Sequence, residues 1–381
     1  MPRSRNASDI SDLSETISEP ESVISFNENV YFNMQNAAVS TTTYVGQARQ
    51  TIEQLATNQC RWIKTPPSVD DVDASRVLDA MLRNAHGTGG ETSERYTACA
   101  ICACPEIHDQ VNLARTWFMY LLWPFIAGTR QLSDLISDQA TPTIEDTYGS
   151  LVSASSERRS RFRTDVNRRD GYRCVVSGLW DGPHVPASVN QGFVTLIGAH
   201  ILKRAVGVFT MDRAHTAAAT WNIIRHYSGM SEETIQNMER LVDDPSNGIM
   251  LGHDLYNMFD KLKIYLEQTE VSPQENEYVV REVGGRAWIH PRDLLGKTIT
   301  FRNHDAPTRN LPLPNPHLIA LHAGISRILH MSGASEVFAQ ILDKYDEAAG
   351  GNVRNLKSNG DPVHQLSSMM SALFIGASLI T

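Results

Sequence analysis

The chain has 381 residues, of which 41% are hydrophobic and 20% charged, enough for one large domain or two ordinary ones. Its 34 lysines and arginines are outnumbered by 43 acidic residues, which leaves a net charge of −9. That balance excludes a protein that binds nucleic acid over its whole surface, so any phosphate contact needs a local basic patch. The apolar runs at 116–127 and 366–381 are too short or too polar to span a bilayer, and we expect no membrane partner.

The cysteines form no regular framework, which predicts free thiols in an intracellular compartment, nuclear or cytoplasmic. Three of them, Cys99, Cys102 and Cys104, lie in a C-x-x-C-x-C run with small apolar neighbours. A zinc site usually needs a fourth ligand, and His108 is the one nearby candidate. Buried thiols are therefore favoured over a metal site here.

The N-terminal part of the chain divides in two by composition. Residues 1–45 are rich in Ser, Asn, Asp and Glu, which predicts a mostly disordered polar arm. Residues 46–150 carry apolar residues at helical spacing and predict a helical region. The predicted elements are helices over 45–58, 72–84 and 105–122, with a Gly/Thr/Ser loop over 86–94.

A basic run follows. Residues 156–173 contain seven arginines against three acidic residues. Such a charge run, taken alone, is typical of a solvated helix face.

The next segment predicts a strand that ends at a histidine. Residues 193–197 are rich in apolar side chains and lead directly into Gly-Ala-His, so we expect His200 at the strand end. Two helical patterns follow before Asn247, and Ser231 is a suitable N-cap for the second. The run from 246 to 267 predicts a helix in its middle and a strand over 263–267.

The C-terminal part predicts a helix with clear boundaries. Asn315 is the expected N-cap, Pro316 the first helical residue, and Gly333 lies just past the end. We expect a helical extension over 301–381. Its last apolar segment packs either on the rest of the chain or on a second subunit, and the second alternative would make the protein a homo-oligomer.

Several short runs together resemble the HNH endonuclease domain common in fungal proteins, which belongs to the ββα-metal nuclease superfamily. The runs lie at 169–178, 199–201, 247–251 and 259–260, with further similarity at 321–323 and 330–334. The resemblance covers about 160–345. It implies an α+β fold: a ββα-metal core with a helical insertion, placed at 156–300, flanked by mainly helical N- and C-terminal regions.

The resemblance also implies a reaction. His200 would act as general base on a water that attacks a phosphodiester, and Asn247 would bridge backbone groups and orient the histidine. One divalent cation, Mg²⁺ or Mn²⁺ with Zn²⁺ as a further candidate, would polarise the phosphate and stabilise the departing oxygen.

The residue at the third position of the HNH motif differs from the one found in the family. The family's metal-binding histidine falls on Tyr256, and the acidic residue often found just before the catalytic histidine is replaced by Gly198 and Ala199. A neutral phenol is a poor ligand for a hard cation. One hypothesis is an altered metal site that uses His253, one helical turn before Tyr256, and Asp260. The alternative is that His253 merely occupies the first turn of its helix.

The basic residues next to this motif are candidates for phosphate binding, since contacts from Arg and Lys to phosphates position a nucleic acid. The predicted nucleic-acid-binding residues are Arg168, Arg169, Arg173, Lys203 and Arg204. Two functions follow: an endonuclease, with DNA favoured over RNA, or a catalytically decayed HNH-fold module that binds nucleic acid or protein.

Overall fold

The computed structural model describes residues 21–65, 69–127, 161–188, 190, 192–203, 206, 214–236, 238–268, 276–284, 294–305 and 308–350. Residues 1–20, Arg204 and the apolar segment 366–381 lie outside this described part, as do the predictions made for them. Long helices are combined with small sheets, and the predicted α+β class is confirmed. None of the described helices is both long and apolar enough to cross a membrane.

The N-terminal region is built from helices packed around one long helix. Its elements are α1 Glu21–Gln35, α2 Thr41–Thr57, β1 Trp62–Ile63, β2 Val72–Asp73, α3 Ala74–Cys102, α4 Ile107–Thr116, a π-helical turn Trp117–Leu122 and α5 Trp123–Ala127. Helix α3 packs against α1, α2 and α4, and its buried face supplies much of the core in this region. Cys99 and Cys104 are buried, as predicted, and Cys102 is half-buried; none of the three is in a disulfide.

Two predictions for this region are wrong. Most of 21–45 is helical rather than disordered, because Val30, Tyr44 and Val45 pack into the core and offset the cost of ordering a polar segment. The predicted loop over 86–94 lies inside α3, which continues through a kink at Gly89 and Gly90.

The kink has a packing reason. A Cβ atom at Gly89 would lie 2.6 Å from the backbone oxygen of Tyr227, and the hydroxyl of Ser93 donates to that same oxygen at 2.7 Å. Gly90 adopts a positive φ of 69°, which glycine tolerates without steric cost. The glycines therefore allow close contact with a later helix instead of forming a flexible loop.

The middle of the chain carries the predicted strands and insertion. Its elements are the helix over residues 161–169 (α6), β3 Trp180–Asp181, β4 Phe193–Val194, β5 Leu196–His200, α7 Ala214–Ser228, α8 Glu232–Gln236, α9 Met238–Leu241, β6 Gly248–Gly252, α10 His253–Asp260, β7 Ile264–Gln268, β8 Glu277–Glu282 and β9 Thr298–Thr300. Strands β7, β8 and β9 form an antiparallel sheet, and α7 packs on α3.

The centre of this region is a hairpin with a helix on it. Strands β5 and β6 pair antiparallel, with His200 opposite Gly248, and α10 follows β6 without an intervening loop and packs on both strands. Side chains of β5 alternate between the two faces of the hairpin. Gly198 faces α6, since a Cβ there would lie 3.6 Å from the Phe162 ring. This is the ββα arrangement expected from the sequence.

The C-terminal part contains α11 Pro316–Ser332 and α12 Ala334–Gly350. The boundaries of α11 are those predicted: the Asn315 side chain accepts from the backbone N–H of His317 at 2.9 Å, and Gly333 ends the helix with a φ of 77°. Helix α11 packs on α3 and β7. A single hydrophobic cluster joins the N-terminal helices, the hairpin and α11, so the three predicted regions share one core.

Candidate active site

A buried ion pair fixes the scaffold of the hairpin. Arg169 is fully buried and donates to the backbone oxygens of Gly248 at 2.6 Å and Pro312 at 3.2 Å, while Asp170 accepts from the N–H of Met250 at 2.9 Å. The two side chains also pair with each other at 2.8 Å. The pair thus ties the end of α6 to β6 and to the segment before α11.

The predicted nucleic-acid contact of Arg169 is therefore wrong, because a side chain without solvent exposure cannot reach a phosphate backbone. Of the other predicted contacts, Arg173 is exposed, with its guanidinium 3.9 Å from the Trp180 ring centroid, and Arg168 is half-buried. Lys203 is buried, with 9% of its surface exposed. The basic run therefore leaves only part of its charge at the surface.

His200 lies at the end of β5, where the sequence predicted it. Its ring stacks on Phe162 of α6, with centroids 4.1 Å apart and an interplanar angle of 7°. Gly248, opposite His200, makes this stacking possible, because a Cβ there would lie 2.5 Å from the Phe162 ring. One fifth of the His200 side chain, 20%, is exposed.

An acidic residue faces the histidine from the insertion. A carboxylate oxygen of Asp243, itself 9% exposed, lies 3.4 Å from His200 Nε2. The geometry is that of an electrostatic contact, since Nε2 makes no aligned hydrogen bond. A carboxylate at this place favours the tautomer with its proton on Nε2 and leaves Nδ1 to accept a proton. Asp243 was not predicted from the sequence, because it stands 43 positions after His200 in a segment that carries no motif.

Asn247 holds both of these residues in place. Its fully buried amide accepts from the N–H of Leu202 at 2.7 Å and donates to the carbonyl of Leu202 at 3.0 Å and that of Val242 at 2.9 Å. Leu202 follows His200 by two residues, and Val242 immediately precedes Asp243. The amide therefore bridges backbone groups, as the resemblance implied. We call His200, Asp243 and Asn247 the hairpin side of the site.

Helix α10 presents the residues of the other side. Tyr256 is half-buried; burial raises the pKa of its phenol and Asp260 raises it further, so the hydroxyl stays neutral. His253 is the first residue of α10, is exposed, and has its Nε2 3.1 Å from the amide nitrogen of Asn257. Ala199, which precedes His200 on β5, is buried and offers no side-chain ligand atom.

Asp260 is already paired with a cation of the chain itself. The Lys203 ammonium lies 3.5 Å from an Asp260 carboxylate oxygen. Burial lowers the pKa of Lys203, and the Asp260 charge opposes that shift. We call Tyr256, Lys203 and Asp260 the helix side of the site.

A third histidine borders the helix side from α11. The His322 ring stacks on Phe259 with centroids 3.8 Å apart, and its Nε2 lies 3.2 Å from the Phe259 backbone oxygen. Burial lowers the pKa of His322 to about 3, although the contact with Phe259 opposes the shift. His322 is therefore neutral and part of the core.

The residues on the helix side do not fit a divalent cation. Among the residues that the structure describes, no three His, Cys, Asp or Glu side chains are grouped to hold a metal ion. His253 and Asp260, predicted to form an altered site, do not join such a group: His253 is exposed beside Asn257, and Asp260 faces a lysine. A metal site of the expected kind would need anionic or imidazole ligands converging within about 2–2.6 Å of the ion.

The fold and this site define a class: an α+β protein whose ββα unit presents a histidine and a carboxylate at the end of its first strand. Residues 174–267 match the family described as HNH endonuclease, which supports an HNH-family domain over that part of the chain. The match runs from just before β3 to β7 and includes the hairpin side and α10. Comparison with curated proteins and with solved structures found no match.

Proposed function

We propose that the ββα unit is an HNH-type endonuclease site that hydrolyses phosphodiester bonds of nucleic acid, with His200 as the general base. The observation that carries the proposal is the contact of His200 with Asp243, with Asn247 bridging the backbone beside both. Nuclease-like function is also what the HNH endonuclease match suggests for residues 174–267.

In the proposed reaction His200 Nδ1 accepts a proton from the water that attacks phosphorus. General-base catalysis of this kind contributes about 10²–10⁴-fold to a rate. Asp243 stabilises the imidazolium that forms and keeps Nε2 protonated, as carboxylates do beside catalytic histidines. HNH sites generally use a divalent metal, but the described residues of the helix side do not fit one.

DNA, ahead of RNA, is the proposed substrate. Arg161, Arg163 and Arg173 are exposed on and just after α6, the helix that carries Phe162 against the His200 ring. Clustered arginines at the edge of such a site can contact successive phosphates without reading sequence.

The test is nicking of supercoiled plasmid by the full chain, with Mg²⁺, with Mn²⁺ and without added metal, and with a matched RNA as competitor. The variants are His200→Ala and, as a control that removes an exposed imidazole elsewhere, His317→Ala. We expect His200→Ala to lose at least about 100-fold in nicking rate, the lower end of general-base effects. The control His317→Ala should nick at the wild-type rate. Equal rates for the two variants would refute the role of His200.

A second function, a binding module without catalysis, is favoured by one observation: tyrosine stands at the expected metal-ligand position and Asp260 is paired with Lys203. The same assay separates the two. Salt-sensitive DNA binding with no nicking under any condition would support the module.

A further inference from the structure

The helix side carries a positive charge where HNH sites use a metal ion. The Lys203 side chain is 11% exposed and its ammonium is 3.5 Å from Asp260, which is 44% exposed. The pair therefore opens to solvent on the Asp260 side while the lysine stem is enclosed. An anion that enters from solvent therefore meets the ammonium group of a lysine rather than a bound metal ion.

The chain keeps this cation close to the proposed base. Lys203 follows His200 by three residues, so their Cα atoms lie within about 11 Å of each other even in a fully extended chain. Leu202, between them, is fixed by two hydrogen bonds to Asn247. Helix α10, which carries Asp260, packs directly on β5.

We propose that the Lys203 ammonium binds the scissile phosphate in place of a divalent cation, so that the site works without metal. This inference rests on the proposed nuclease function and names how its phosphate is held. Asp260 holds the ammonium until substrate arrives, and a non-bridging phosphate oxygen then takes over as its partner.

The step balances without an added co-reactant. Water loses a proton to His200 and its oxygen forms a bond to phosphorus. The bond from phosphorus to the leaving oxygen breaks, and that oxygen takes a proton from the Lys203 ammonium. The products are a phosphomonoester and a hydroxyl, and solvent then returns both side chains to their starting states. Burial, which lowers the pKa of Lys203, makes its ammonium a better proton donor.

The test uses the full chain with supercoiled plasmid and with a fluorescein-labelled DNA oligonucleotide, each in excess EDTA and, for comparison, in Mg²⁺ and in Mn²⁺. The variants are Lys203→Met, which keeps the stem without the charge, Lys203→Arg, which keeps the charge but holds its proton, and Lys261→Gln. Lys261 is exposed one residue after Asp260 and controls for the loss of one positive charge. Thermal unfolding by circular dichroism checks that each variant folds.

We expect wild type to nick in EDTA at the rate seen in Mg²⁺. Lys203→Met should lose about 100-fold or more in rate, as sites do on losing one charge-stabilising donor, and about tenfold in oligonucleotide affinity. Lys203→Arg should lose the rate but keep the affinity, and Lys261→Gln should change neither. If Lys203→Met does not fold, wild-type nicking in EDTA against Mg²⁺, together with the rate of Lys203→Arg, still tests whether Lys203 replaces the metal ion.

The outcomes separate this inference from the proposed function. Nicking by wild type that EDTA abolishes and Mn²⁺ restores overturns the inference and leaves the nuclease intact. If wild type never nicks, the nuclease and the proton-transfer step fail together, and the phosphate contact is then judged by binding alone. A selective loss of oligonucleotide affinity in Lys203→Met supports that contact, and equal affinity in Lys203→Met and Lys261→Gln overturns it.

Discussion

The hairpin side and the helix side of the site differ in how tightly they are tied to the fold. Asn247 is fully buried and satisfies backbone groups of Leu202 and Val242, so replacing it leaves buried polar groups without partners. Tyr256, by contrast, is half-buried on α10 and packs at the edge of the hydrophobic core. A substitution at the metal position can therefore be accepted without loss of the fold, whereas one at the bridging asparagine cannot.

This difference limits what a family match says about chemistry. The match over 174–267 includes the residues of both sides, although tyrosine stands at the expected metal-ligand position. Chemistry depends on particular side chains placed on a fold.

Asn247→Ala tests whether the hairpin side is structural as well as functional. The change removes three buried hydrogen bonds and leaves two carbonyls and one N–H without these partners. We therefore expect the free energy of unfolding to fall by about 4 kcal/mol. Urea unfolding followed by circular dichroism measures this. Asn257→Ala, which removes only the contact with His253, should cost less than about 1 kcal/mol. Similar losses in the two variants would contradict the bridging role.

Asp243→Asn tests the contact with the base. A neutral amide can donate to Nε2 and so favours the wrong tautomer of His200; we expect a loss of about 100-fold in nicking rate, with substrate affinity unchanged. Rate against substrate concentration separates the two quantities. The control Asp79→Asn removes a surface carboxylate that pairs with Arg83 and should leave the rate as it is. A loss confined to affinity would contradict a positioning role for Asp243.

Gly248→Ala tests the packing under the histidine. A methyl group there would lie 2.5 Å from the Phe162 ring and 2.7 Å from Val166, so the stacked ring must move. Overpacking of this kind costs about 2 kcal/mol, and the rate should fall because Phe162 no longer supports His200. Gly192→Ala is the matched control, since a Cβ there meets no atom within 4 Å. Unchanged stability of Gly248→Ala in urea unfolding would contradict tight packing of the Phe162 ring against Gly248.

His322→Gln tests the border of the helix side through pH. With a folded pKa of about 3 and an ordinary value near 6.5, the unfolded chain binds the extra proton in the window between them. Stability contributed by neutral His322 is therefore present above that window and lost as pH falls. Between neutral pH and about pH 5.5 the wild type should lose about 1 kcal/mol that the glutamine variant keeps. Parallel stability curves for the two proteins would contradict a buried neutral imidazole.

Local signals made much of the fold predictable. The N-cap Asn315, Pro316 and Gly333 determine α11 by short-range geometry, and the apolar run before His200 gave the strand that ends there. The kink at Gly89 was mistaken for a loop, because the close approach of Tyr227 that requires the glycine comes from 138 residues away.

The site was predictable only where a motif carried it. His200 and Asn247 were found through their flanking residues, but Asp243 has no local signal and is recognised only once the insertion folds back. Arg169 lies in a charge run typical of a solvated helix face, and its burial depends on the carbonyls of Gly248 and Pro312 far along the chain. The pairing of Lys203 with Asp260 is equally long-range, since it joins the end of a strand to the end of a helix.

The most direct test of the contrast between the two sides is Mn²⁺ binding by isothermal titration calorimetry, on wild type and on the double variant Tyr256→His with Lys203→Met. We expect no saturable binding to the wild type, because Asp260 is paired with Lys203 and, within the described part of the chain, no three His, Cys, Asp or Glu side chains are grouped to hold an ion. The double variant supplies an imidazole and releases Asp260, so it should bind one ion. One tightly bound Mn²⁺ in the wild type, lost in Asp260→Asn, would show instead that the helix side is a metal site.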